Sequence, residues 1–274
     1  MSRTLLTERF PALVPLRLAQ RRTFKRVSDA RKGYRYAEQV SADDLPFRVY
    51  QHRSLLLRRL GDVDMTLQHN KVVNLKLAAA HLDGVLIRPG ETFSFWHLVG
   101  DASAEQGYLP GVILRSGRAG SGVGGGLCQL GNLLHWMFLH SPLDVVERHR
   151  HSFDPFPDDG RAVPFGTGAT LTGRLLDLKA TNATSLVFQV RVRFDATHVH
   201  GEIRASALPP RAYHVDESDS RFVRKADGHV YRQNVLRRRE VDRTSGRLVA
   251  EYELFRNDAL VRYEVDPALV QIDE

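Results

Sequence analysis

Apolar residues at 72, 75, 79 and 82 lie along one helical stripe, and the alanine run 78–80 adds propensity, so Val72–Leu82 is predicted to be a helix. Asp83-Gly84 ends it, and Val85-Leu86-Ile87 reads as a short buried strand before the turn Arg88-Pro89-Gly90-Glu91. Thr92–Trp96 and Val112–Leu114 are further strand candidates. Large apolar side chains at 130, 133, 134, 137 and 138 predict a second helix, beginning at Cys128 and interrupted near Ser141-Pro142. Leu143–Arg148 then reads as extended chain.

From about residue 168 the period changes from helical to alternating. Ala169–Leu171, Leu186–Phe194 and Val199–Ile203 read as strands, with Asp195–His198 as a hairpin loop. Arg232–Asp242 and Arg247–Phe255 form a second hairpin across Arg243-Thr244-Ser245-Gly246. Residues 1–60 are poorly periodic, with one helix expected over Ser54–Leu60. The pattern predicts an α+β fold: a helix-containing cysteine half with a predominantly antiparallel β C-terminal part. Three segments are expected: a basic lead-in over 1–65, a core over 66–185, and a β-rich extension over 186–274 packed on that core. The antiparallel strands over 186–263 are expected to complete the core without carrying the functional site, with Arg237, Arg238 and Arg239 largely solvated.

A chain of 274 residues, 42% hydrophobic and 26% charged, has the composition of a soluble globular protein with a substantial core. Its net charge of +7 is unevenly placed: residues 1–60 hold 14 Lys/Arg against 5 Asp/Glu, a balance of +9, and the rest hold 25 against 27, a balance of −2. A basic head can meet nucleic acid, anionic lipid or an acidic substrate. No nucleic-acid motif accompanies Arg21–Arg26 or Arg31–Arg35, so a solvated basic face is expected there, and nucleic acid is not expected as a partner. One cysteine forms no intrachain disulfide, the N-terminus lacks an apolar signal segment, and no run approaches the length of a membrane span. A cytoplasmic protein without a transmembrane segment is the expectation.

The chemistry concentrates where Gly120-Ser121-Gly122-Val123-Gly124-Gly125-Gly126-Leu127 leads into Cys128. A flexible glycine loop that delivers a thiol to a helix N-terminus brings the thiol unpaired N–H groups and the positive end of the helix dipole. Those features favour a thiolate nucleophile, and the same N–H groups can hold an oxyanion. A cysteine that merely fills core space needs no such glycine run. A phosphate-binding loop is excluded because no Gly-Lys-Ser/Thr follows. The pairs His149/His151 and His198/His200 would each share a face if extended, but no third ligand type stands at a recognised spacing. Neither a metal site nor a cofactor is expected.

Four motifs carry a resemblance. Asn74-Leu75-Lys76-Leu77-Ala78 through Gly84, with Pro89–Phe95, is similar to the opening of a VanW domain. Gly124-Gly125-Gly126-Leu127-Cys128-Gln129 resembles its central motif, Glu147–Ser152 its histidine motif, and Pro164–Thr170 the segment that follows. Some family members look like L,D-transpeptidases that use a cysteine on peptidoglycan stem peptides. The resemblance therefore implies cysteine-dependent acyl transfer on a peptide or small amide, with a peptidoglycan precursor as one candidate. Cys128 would be the nucleophile and His151, at the His-Ser position of the motif, its base, with His149 as the fallback. Asp154, Glu147, Asp158 and Asp159 are the carboxylates close enough in sequence to orient that base. Gly124, Gly125, Gly126 and Gln129 are the candidate oxyanion donors. Where many members carry an acid before Ala-Thr, this chain has Gly168-Ala169-Thr170, so no role passes to that position. The alternative is a non-catalytic module that holds an anionic ligand with the glycine loop, His149, Arg148 and Arg150.

Overall fold

The computed structural model describes residues 14–58, 64–115, 118–150, 153–154, 157 and 163–272. In chain order its elements are α1 (Val14–Arg31), β1 (Arg35–Tyr36), β2 (Phe47–Leu55), α2 (Met65–Ala79), β3 (Leu86–Ile87), β4 (Glu91–Ser94) and α3 (Phe95–Val99). There follow the hairpin β5 (Pro110–Arg115) and β6 (Arg118–Val123), α4 (Cys128–Leu139), β7 (Asp144–Glu147), β8 (Phe153–Asp154) and β9 (Lys179–Thr181). The last six strands are β10 (Phe188–Phe194), β11 (His198–Ala205), β12 (Arg211–Arg224), β13 (Val230–Asp242), β14 (Leu248–Val261) and β15 (Val270–Ile272). The fold is α+β, as the periodicity predicts.

α4 is the central element because its apolar side chains project in several directions. Leu130, Leu133, Leu134, Met137 and Phe138 are all buried, in one cluster with Leu75 and Leu82 of the α2 region, Phe93, Phe188, Val190 and Ile203. The sheet β2-β11-β10-β3 covers one side of it, and a smaller sheet, β1-β4-β9-β7, contributes Phe93 against Phe138. α2 begins earlier than its apolar stripe suggests, because Asp64 caps it by accepting from the Thr66 N–H at 2.8 Å. β4 stops at Ser94 for a similar reason: its hydroxyl accepts the His97 N–H at 3.2 Å and starts α3.

Three expectations need correction. Ser54 and Leu55 close the strand β2, not a helix over Ser54–Leu60, of which 59 and 60 lie outside the described residues. The inward positions of that strand are polar: the Trp136 indole donates to Tyr50 at 3.0 Å and Gln129 donates to Ser54 at 2.9 Å. Ala169–Leu171 is irregular, because its N–H groups are taken by Asn132 (2.7 Å), the His149 carbonyl (2.7 Å) and the Cys128 sulfur (3.4 Å) rather than by a neighbouring strand. Arg238, expected in solvent with Arg237 and Arg239, is buried; its guanidinium lies 4.2 Å over Tyr213 and donates to the Ser141 carbonyl.

The C-terminal strands form the sheet β15-β12-β13-β14-β8, antiparallel except for the parallel pairs β12/β15 and β14/β8. At the other end of the chain, the basic lead-in is ordered as α1. Its Asp29 pairs with the buried Lys179 at 2.6 Å, and Lys25 bonds both Asp29 and Glu147. The remaining positions of α1 are exposed from Leu16 onward, as expected of a solvated basic face.

Candidate functional site

A cleft of about 1650 Å³ opens where α2, the turn Gly124–Leu127, the start of α4 and the segment 163–173 meet. Its floor depends on close backbone approach. A Cβ on Gly125 would lie 2.2 Å from the Gly111 carbonyl oxygen, and one on Gly126 would lie 2.1 Å from Lys71 Cγ. Gly126 also has φ +94°, a conformation that L side chains rarely adopt. Asn74, fully buried on α2, clamps this turn. Its amide donates to the carbonyls of Gly125 and Leu109, each at 2.9 Å, and its oxygen accepts the Leu109 N–H at 2.8 Å. Most of the expected glycine loop is therefore not loose: Arg118–Val123 is a strand of the β5–β6 hairpin, and the true turn is short.

Cys128 is the first residue of α4 and lines the cleft. Leu171 N–H donates to the sulfur at 3.4 Å, and the thiol reaches toward the Leu171 carbonyl at 3.7 Å. Burial pushes the thiol pKa up, and the N–H groups of Leu171 and of Cys128 itself only partly oppose it. The resting group is thus a neutral thiol, not the thiolate that a helix N-terminus alone would favour.

The other expected site residues divide between the cleft and its surroundings. Gly124, Gly125, Gly126 and Gln129 line the cleft. The Gln129 amide is already committed to Ser54 and to the Leu55 carbonyl at 2.6 Å, which ties β2 to the start of α4. Asp154 also lines the cleft, but its carboxylate accepts the Tyr263 hydroxyl at 2.9 Å and faces Arg232 at 3.4 Å. Arg148 does not line the cleft; it donates to the carbonyls of Gly168 and Gly166 and lies 4.3 Å over the Phe255 ring. His149 points to Glu147 at 3.1 Å, so its imidazole belongs to the ion cluster beneath α1. His151, with Asp158 and Asp159, lies outside the described residues. The described residues on either side of His151, Arg150 and Phe153, both line the cleft, and Arg150 bonds the Asn257 side chain. Asn257 and Ala259 bring β14 into the wall, so the C-terminal sheet touches the site that it was expected only to support. Among the described residues, no group of three or more His, Cys, Asp and Glu side chains is placed to hold a metal ion, and no helix is long and apolar enough to cross a membrane.

Sequence reasoning missed three polar residues of the cleft, Gln68, Lys71 and Asn132. Gln68, Lys71 and Asn74 are buried on α2 in line with Leu75 and Ala78. Their helical spacing, continuous with the apolar stripe, was the available signal that they face inward. Asn132 is one turn into α4 and accepts the Ala169 N–H, which holds the segment after the histidine motif against the cysteine helix.

The model for VanW like protein matches residues 70–204, which take in most of α2, the glycine turn, Cys128, β10 and all but the last residue of β11. The vancomycin B-type resistance protein VanW of Enterococcus faecalis is 35% identical over 274 residues, covering 100% of this chain and 99% of that protein. The uncharacterized protein YoaR of Bacillus subtilis is 30% identical over 123 residues, 44% of this chain and 38% of YoaR. No solved structure matches the chain. With a family model over residues 70–204 and a relative 35% identical along the full chain, the chain belongs to the VanW family.

Proposed function

We propose that the protein is a cysteine-dependent acyl transferase acting on peptides of the cell wall or their precursors. The observation that carries this reading is the placement of Cys128: it starts a helix, lines a cleft, and its sulfur accepts the Leu171 N–H. At about 1650 Å³ the cleft exceeds the usual span of small-molecule pockets, roughly 300–1,000 Å³, and suits an extended peptide. The relative's name ties it to vancomycin resistance, a property of the cell wall, which supports wall peptides as the substrate class.

In this reading the sulfur attacks a peptide carbonyl carbon and a thioester C–S bond forms as the C–N bond breaks. The thiol proton passes through a base to the departing amine. An acceptor amine or water then attacks the thioester and returns the proton to sulfur. His151 is our candidate base, on the family motif and on the position of its chain neighbours at the cleft. Because the resting thiol is neutral, that base must take the proton as the bond forms. A second reading, a module that binds without chemistry, draws on the raised thiol pKa and on the unspent hydrogen-bond donors in the cleft.

Turnover of N-acetylated alanine peptides, followed by chromatography and mass spectrometry, separates the two. Acyl transfer predicts release of the C-terminal residue by the native protein and loss of that release in Cys128→Ala. Peptide turnover that survives Cys128→Ala, or binding without any turnover, would exclude the cysteine mechanism.

A further inference from the structure

Beside the thiol, the cleft contains donors that the acyl-transfer step leaves unused. Lys71 is 7% exposed, and its ammonium donates to Gln68 Oε1 at 2.8 Å. Among the described residues no carboxylate pairs with it. Gln68 is 1% exposed, and its Nε2 has no hydrogen-bond partner among the described residues. Both side chains line the cleft, and the stem of Lys71 packs on Gly126, two residues before Cys128. The Thr170 hydroxyl, next to the Leu171 N–H that holds the sulfur, is likewise buried without a partner among the described residues, and Thr170 lines the same cleft.

A buried ammonium without a counter-ion and a buried amide N–H without an acceptor are each costly in isolation. Burial, and then the charge of Arg58, pushes the Lys71 pKa down to about 8. An incoming anion would relieve both costs at once. We infer that Lys71 Nζ and Gln68 Nε2 form a subsite for a carboxylate, the free C-terminal acid of a peptide whose preceding carbonyl is presented to Cys128. This rests on the acyl-transfer reading and narrows it to substrates that end in a free acid. One ammonium and one neutral amide match a monoanion with two oxygens. A phosphate dianion would bring a second charge that this pair does not meet.

The test uses the full-length chain with Cys128→Ala, so that no acyl chemistry intrudes and its failure could not be mistaken for failure of the subsite. Binding of N-acetyl-dialanine as free acid and as C-terminal amide, in both stereochemical forms, is measured by titration calorimetry. The free acid is expected to bind about tenfold tighter than the amide, the scale of one charge-assisted hydrogen bond. Lys71→Met should bring that ratio near one. Gln68→Glu should do the same without removing the lysine, because it supplies an internal carboxylate to Lys71; it decides the matter alone if Lys71→Met does not fold. Equal binding of acid and amide, no binding of either, or a preference that survives in either folded variant overturns the subsite. Inorganic phosphate displacing the acid more effectively than acetate does would overturn its assignment to a carboxylate.

Discussion

Cys128 was readable in the sequence as the focal residue, but its ionisation was not. The helix start is a local property of 124–139, whereas the burial that raises the thiol pKa comes from the tertiary fold, and the Leu171 N–H that partly opposes it lies 43 positions away in the chain. Free of ligand, Cys128 should therefore react with iodoacetamide more slowly at pH 7 than free cysteine does, with the rate climbing as pH passes the ordinary thiol range. A rate above that of free cysteine at pH 7 would mean the thiolate is already formed. Lys71 gives a second prediction with a definite sign. Its folded pKa, about 8, lies below the ordinary 10.5, so between these values the unfolded chain binds the proton more tightly. The folded state carries that penalty in full below about pH 8. Replacing the pair by Lys71→Met with Gln68→Leu should raise stability at pH 7 by about 1–3 kcal/mol, a gain that shrinks as pH rises toward 10.5. Denaturant melts at pH 7 and pH 10 check it; lower stability at pH 7 would show that the ammonium has partners that support it.

Elements built on apolar periodicity were read well, and those built on polar inward contacts were not. α4 and β10–β11 announce themselves because their buried positions are mostly apolar, and α2 because Leu75, Ala78 and Ala79 continue its apolar stripe. β2 hides its alternation because Tyr50, His52 and Ser54 face inward and hydrogen-bond or stack on α4. The glycine run reads as one flexible loop because nothing local marks that Gly111 pairs with Gly122 in the hairpin or that Gly125, in the turn beyond it, packs on Gly111. That contact gives a prediction at the level of the turn. Gly126→Ala combines an unfavourable φ with overlap on Lys71, and should cost about 2–4 kcal/mol. Gly120→Ala, whose added Cβ meets nothing nearer than 3.9 Å, should stay within about 1 kcal/mol of the native chain. Thermal denaturation of the two variants distinguishes a tightly packed turn from a loose loop: equal melting temperatures would contradict the close packing described for Gly126.

Across the whole molecule, polar contacts join the outer parts to the apolar core, which is why composition alone could not place them. The C-terminal sheet is held through Arg238 on the Ser141 carbonyl, Asn234 on the Phe165 carbonyl at 2.8 Å, and Tyr263 on Asp154. α1 is held through Glu147, Lys179, Asp29 and Lys25. Burial works against the Glu147 carboxylate, but bonds from Lys25, His149 and Lys179 outweigh it and hold its pKa down at about 2. With the folded value below the ordinary 4.5, the stabilisation is complete above about pH 4.5 and is lost as pH falls toward 2. Glu147→Gln should therefore cost about 3 kcal/mol at pH 7, because it removes a charge facing buried Lys179, and the difference from the native chain should vanish near pH 2. A difference independent of pH would assign the loss to packing instead. Whether the thiol takes up an acyl group is read from the intact mass of the native chain after incubation with an N-acetylated alanine peptide bearing a free C-terminus. An added acyl mass should map to the Cys128 peptide and be missing from Cys128→Ala; an unmodified Cys128 under conditions where that peptide is bound would rule out the cysteine mechanism.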